Sequence, residues 1–161
     1  ANNYSIILAA IWLVYFMFEL VNPEARMVAP WISGRGVGFY YLFFAILTFM
    51  FINTNKRLDT FLYVWGVFSI LATLKGIGQM VFGVDAAEQA WLDNGGNVTH
   101  ILFGKLRVFS FFSDAGQFGG NQGYAGVVFI IYSMAKKGLP KIFFITVGIL
   151  GIYGMLISGT R

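Results

Sequence analysis

Cysteine is absent from this chain of 161 residues, and histidine occurs once, as His100. No disulfide and no thiolate metal site is available, the redox compartment stays open, and one imidazole cannot by itself build a zinc site. Charge is scarce as well: 11% of residues are charged and 58% are hydrophobic, with a mean hydropathy of +0.72. A soluble domain carries roughly 25% charged residues, so half that charge, set in long apolar blocks, fits lipid and not water. The net charge of +4 is too small and too scattered for a nucleic-acid surface. No basic segment opens the chain, and no small-residue cleavage site follows its first apolar run, so a signal peptide is not expected.

What is present is apolar length. Five blocks stand out, roughly Tyr4–Val21, Val37–Ile52, Phe61–Val84, Ala115–Ala135 and Ile142–Ser158. About 20 residues of helix cross the hydrocarbon core, and lipid leaves no partner for free backbone groups, so helices are the expected form. The expected fold class is all-α and membranous. It is a polytopic bundle of about five transmembrane helices over residues 1–161, without a soluble domain. The chain halts at Arg161 directly after an apolar run, so a longer protein is expected. Lys56 and Arg57 sit in one connecting stretch, and Lys136, Lys137 and Lys141 in another. The positive-inside rule makes both cytoplasmic. The N-terminus is then inside, while the stretches Asn22–Gly36 and Asp85–Asp114, and Arg161, lie outside. Arg26, Arg35, Lys105 and Arg107 weaken that assignment without overturning it. Gly119 and Gly123 have a small-xxx-small spacing suited to helix packing. The glycines at 34, 36 and 38 follow no strand and open no nucleotide-binding unit.

The outer loop 85–114 holds the most information. Asp85 can cap a short helix, Ala86–Leu92, ending near Asn94-Gly95-Gly96. Trp91 suits a membrane interface. Thr99–Phe112 reads as a β-hairpin with arms Thr99–Phe103 and Leu106–Phe112 about a Gly104-Lys105 turn. In that register Phe103 pairs with Leu106, Leu102 with Arg107, and His100 faces Phe109, which leaves His100 and Arg107 as diagonal neighbours on one face. Ser113 or Asp114 can cap the fourth span. Asp114, Gln117, Asn121 and Gln122 crowd its first turns, and polar groups there are costly unless they face the bundle or a wet cavity. A polar pocket opening outward is expected.

Few charges lie near the membrane. Arg161 follows the fifth span, and Arg107 sits on the loop above the same face. A guanidinium matches phosphate oxygens with a planar fork of donors, so two of them could hold a pyrophosphate headgroup; snorkelling onto lipid headgroups is the plainer alternative. Lys75 lies inside the third span and Glu19 near the outer end of the first. They pair with each other, or Lys75 joins the phosphate site, or it snorkels. His100 is the one imidazole the chain offers as a base, yet a lone loop histidine is more often a surface residue than a catalytic base.

The run RVFSFFSDAGQFGGNQ from Arg107 to Gln122, followed by GMLISGTR from Gly154 to Arg161, resembles the bacterial O-antigen ligase and polymerase superfamily. The resemblance covers roughly residues 100–161; the earlier spans agree only in character. It implies a membrane glycosyltransferase of the bacterial inner membrane. That enzyme would move glycan from an undecaprenyl-pyrophosphate donor to a lipid or glycan acceptor outside the cytoplasm, without nucleotide sugar, cofactor or required metal. Arg107 and Arg161 would hold the donor pyrophosphate, with Lys75, Lys105, Asp114, Gln117 and Asn121 as possible supports. The family's catalytic histidine lies beyond the S-G-[ST]-R element. His100 does not match it, and the chain alone is expected to be inactive. A transporter or channel segment, and a non-catalytic membrane subunit, are the competing expectations.

Overall fold

A computed structural model describes residues 4–19, 35–102 and 104–159 of the chain. The expected outer stretch at 22–36 therefore lies almost wholly outside the described residues, and so does Arg161. What is described is mostly helical, as expected, and falls into two compact units, residues 1–61 and 62–161.

In the first unit, α1 (Tyr4–Glu19) and α2 (Tyr40–Phe51) are apolar on all sides. A wide turn of helix, Arg35–Phe39, leads into α2. The two helices meet at Gly38, where an added Cβ would stand 2.9 Å from a ring carbon of Phe16. No residue of α2 is buried. A helix that is apolar all round needs a hydrophobic surrounding. Thr54 then opens α3 (Asn55–Phe82), its hydroxyl accepting from the Arg57 N–H, while the Arg57 guanidinium donates to Asn53 at 3.1 Å.

The second unit contains most of α3, followed by α6 (Ala115–Met134) and α7 (Gly138–Ile157). Helices α6 and α7 pack backbone to backbone. An added Cβ on Gly151 would lie 2.8 Å from both the Gln122 oxygen and the Gly126 nitrogen, so only glycine permits this approach. The small-residue contact expected at Gly119 and Gly123 therefore centres lower down the helix: Gly123 meets the Met155 side chain, while Gly126 meets Gly148 and Ile152. Aromatic rings fill the end away from the loop, with Phe129 stacked on Phe144 at 5.7 Å and Trp65 4.9 Å from Phe129. Between the three helices sits a polar cluster. Gln122 is fully buried; its carbonyl accepts from Ser69 Oγ at 2.8 Å and its amide donates to the Ser69 carbonyl at 3.3 Å. Burial of an amide is tolerable because its groups are paired.

By length and composition, two described helices could cross a membrane, Asn55–Phe82 and Gly138–Ile157. Their most apolar windows are only 33% and 28% buried, so most of that apolar surface faces outward. The other three expected spans are shorter or more polar. Helix α1 has 16 residues and α2 has 12, and the first half of α6 is rich in Gly, Gln and Asn.

Candidate functional site

The loop between α3 and α6 is built on one polar side chain. Asp85 caps α4 (Ala86–Trp91) in a reciprocal box: its carboxylate accepts from the Glu88 N–H at 2.9 Å, and Glu88 accepts from the Asp85 N–H at 2.9 Å. The expected capped helix is present. After it the chain kinks at Asn94 and Gly95, makes the single turn α5 (Asn97–His100), and forms a short hairpin of β1 (Ile101–Leu102) and β2 (Lys105–Leu106).

The hairpin departs from the expected one in register and length. Ile101 pairs with Leu106 and Leu102 with Lys105, so Lys105 belongs to the second strand and not to the turn. Gly104 lies in the turn with φ +72°, where a positive φ favours glycine. Phe103 lies outside the described residues. The shifted register puts Arg107 opposite His100, with the Arg107 N–H donating to the His100 carbonyl at 2.7 Å. Thr99 and His100 belong to α5 and not to a strand arm.

The second arm also ends early, because Gln79 competes for its backbone. The Gln79 carbonyl accepts from the N–H groups of Phe109 (3.2 Å) and Ser110 (2.8 Å), and its amide donates to the Ser110 carbonyl (3.3 Å) and to Glu88 (2.9 Å). Ser110 is buried at φ +56°, and its hydroxyl donates to the Ala72 carbonyl at 2.6 Å. A serine in the left-handed region is strained. Here three hydrogen bonds hold it, and it turns Phe109 inward and Phe111 outward.

Lys75 is engaged by two carboxylates, Glu88 at 2.8 Å and Asp85 at 3.1 Å. Its expected partner Glu19 has a side chain outside the described residues. The pairing leaves Lys75 a poor support for a phosphate, since two negative charges already surround its ammonium. The Glu88 N–H and then the Lys75 ammonium hold the Asp85 carboxyl below the ordinary carboxylate range. Burial works to raise Glu88, but Lys75, the Asp85 N–H and Gln79 together outweigh it, and its carboxyl also lies below that range.

His100 is buried at 2% exposure, wedged edge-on between Trp91 (4.7 Å) and Phe109 (5.1 Å). Its Nδ1 lies 2.9 Å from the Gly96 carbonyl. The Thr99 hydroxyl stands 2.8 Å from the same nitrogen, so Nδ1 is enclosed by two oxygens of the loop. The imidazole is thus part of the loop's own core and not the surface residue expected of a lone loop histidine. Arg107 is half-buried; Nη1 reaches the Thr99 carbonyl only at 3.5 Å, and among the described residues no carboxylate pairs with it. The stem of Arg107 lies against Gly159, its Cγ 4.0 Å from where a Cβ would stand. Lys105 is exposed on the hairpin.

The polar residues expected to shape an outward pocket at the start of α6 do not converge on one face. Asp114 is the cap, accepting from Gly116 and Gln117 N–H at 2.6 and 3.1 Å. Gln117 and Asn121, four residues apart, share an exposed face, while Phe118 and Gln122 share the buried one. What opens outward instead is a cleft of about 460 Å³ lined by Lys75, Asp85, Glu88, Trp91, Phe111 and Ser113, among others. A larger groove of about 1190 Å³ between α1 and α2 is lined by apolar and aromatic side chains and offers no charged group.

Gln79, Glu88 and Ser110 were missed in the sequence. Gln79 lies one helical turn beyond Lys75 in an apolar run, which marks a polar face on α3, and Asp85 with Glu88 three residues on has the spacing of a capping box. Nothing local marks Ser110. No family model, no curated protein and no solved structure matches the chain.

Proposed function

We propose that this chain is the donor-binding part of a membrane glycosyltransferase resembling the O-antigen ligases. It would work on the outer side of the bacterial inner membrane with about five crossings, and take glycan from an undecaprenyl-pyrophosphate carrier to a lipid or glycan acceptor. One observation carries the reading: the end of α7 arrives at Arg107, with Gly159 against the Arg107 stem. Arg161 follows Gly159 by two residues, a covalent reach of about 7 Å. The reading takes Arg161, which lies outside the described residues, as the second cation beside Arg107, and Arg107 itself has no carboxylate partner among the described residues.

The chemistry asks for that charge. Transfer breaks the bond between the anomeric carbon and a pyrophosphate oxygen. It forms a bond from that carbon to an acceptor hydroxyl, whose proton passes to a base. The departing pyrophosphate gains negative charge, and cations fixed in advance lower that barrier. Carboxylates at Asp85 and Glu88 sit on Lys75 and leave the arginines as the cations for the donor. No base is assigned among the described residues, and His100 is buried at 2% exposure.

A transporter reading draws less support. The polar groups inside the helices, Ser69, Thr73 and Gln122, are buried and bonded to one another. In the full-length protein, Arg107→Ala and Arg161→Ala are each expected to lower glycan transfer by about 100-fold or more, with membrane insertion unchanged. Arg107→Lys should recover only part, because an ammonium lacks the fork. Transfer at the unsubstituted rate in both alanine variants would sink the donor clamp.

A further inference from the structure

We infer that the cleft between α4 and the loop 109–113 is a saccharide subsite, distinct from the arginine clamp, that takes one or two neutral sugar rings. Its size, about 460 Å³, falls within the range of small-ligand pockets. Its chemistry selects the ligand by exclusion and by fit. Lys75, Asp85 and Glu88 together carry one net negative charge, which repels phosphate and carboxylate groups. The ammonium of Lys75, 5.9 Å from the centre of the Phe111 ring, already fills the place a cationic ligand would take over that aromatic face. A neutral, hydroxyl-rich molecule meets neither obstacle.

The fit is with hydroxyl donors and C–H faces. The Asp85 carboxylate is held by Lys75 and by the Glu88 and Ala87 N–H groups, and its side chain is 54% exposed. A carboxylate has about four acceptor positions, so it can still accept from a ring hydroxyl. Trp91 is 41% and Phe111 69% exposed, and both line the cleft. They offer apolar faces to the C–H side of a pyranose. Ser113 Oγ adds an exposed hydroxyl at the rim. The strained Ser110 holds Phe111 outward, and local strain that the surroundings enforce is characteristic of ligand sites. The subsite lies beside Phe109, two residues beyond Arg107, as a sugar adjoining a bound diphosphate would require.

The choice of ligand rests in part on the glycan-transfer reading, and the test separates the two. The full-length protein in detergent is examined by saturation-transfer difference NMR against lactose, maltose and N,N′-diacetylchitobiose, with inorganic pyrophosphate and phosphoethanolamine as competitors. At least one disaccharide is expected to bind. Binding should weaken tenfold or more in Phe111→Ala, which removes an exposed ring, and in Asp85→Asn, which keeps a capping side chain. Arg107→Ala should leave it unchanged. Absence of any saccharide signal overturns the inference. So does equal binding by both cleft variants, or displacement by pyrophosphate or phosphoethanolamine. A silent cleft with transfer still lost in Arg107→Ala would overturn this subsite alone.

Discussion

Ser110 and Gln79 are worth weighing against each other. A left-handed serine costs about 1–2 kcal/mol, and its hydroxyl bond to Ala72 returns about 0.5–1.5 kcal/mol, so the residue alone is close to balanced. Gln79 tips the balance, because its carbonyl satisfies two backbone N–H groups where the loop is buried. Losing that acceptor leaves both donors unpaired, at about 1–3 kcal/mol each. The expected order of destabilisation is therefore Gln79→Ala well above Ser110→Ala, with Ser110→Gly near neutral because glycine accepts the positive φ. Thermal unfolding of the three purified variants, ranked against the parent, checks the order. A Ser110→Gly variant as damaged as Gln79→Ala would show that the hydroxyl, and not the backbone, holds the loop.

The long helices were legible from apolar run length, and Asp85 and Asp114 as caps from their place before those runs. The strands were not legible in register, and the reason is physical. Gln79 comes from α3, about 30 positions from the residues it binds, and its side chain draws the backbone of Phe109 and Ser110 out of the ladder. A local pattern cannot register a competitor from another element. The start of α6 misled in a related way: Asp114, Gln117, Asn121 and Gln122 are close in sequence but point to different faces. Only Gln122 turns inward, to Ser69 and Thr73. The helix contact behind it makes its own prediction. A Cβ on Gly151 meets backbone at 2.8 Å, whereas a Cβ on Gly123 meets the Met155 sulfur at 3.0 Å. Backbone cannot yield as a flexible side chain can. Gly151→Ala should force α6 and α7 apart and cost about 1–3 kcal/mol, and Gly123→Ala clearly less. Comparable losses of melting temperature in the two variants would contradict that packing.

At the scale of the whole molecule, the proposed function requires Arg107 and Arg161 to share the outer side, which in turn requires both α6 and α7 to cross. Helix α7 has the length and composition for it. Helix α6 is the harder case. Its 20 residues give about 30 Å, enough to span the hydrocarbon core. Its first half is polar, and Gln122 would be expensive in lipid if it were unpaired. Gln122 is instead buried against Ser69 on α3, so the polar side chain deepest in the helix is satisfied within the bundle, while Gln117 and Asn121 stay exposed near its start. The absence of cysteine from these 161 residues allows a direct check, since an introduced thiol has no competitor within them. Lys56, Lys105 and Lys137 are exposed and lie outside the hydrophobic core of each helix. In intact cells a membrane-impermeant maleimide should label Lys105→Cys, and should reach Lys56→Cys and Lys137→Cys only after permeabilisation. Labelling of Lys105→Cys and Lys137→Cys from the same side would mean that α6 does not cross. The two ends of α7 would then have to be reassigned, and the proposed pairing of Arg161 with Arg107 on the outer side would fail.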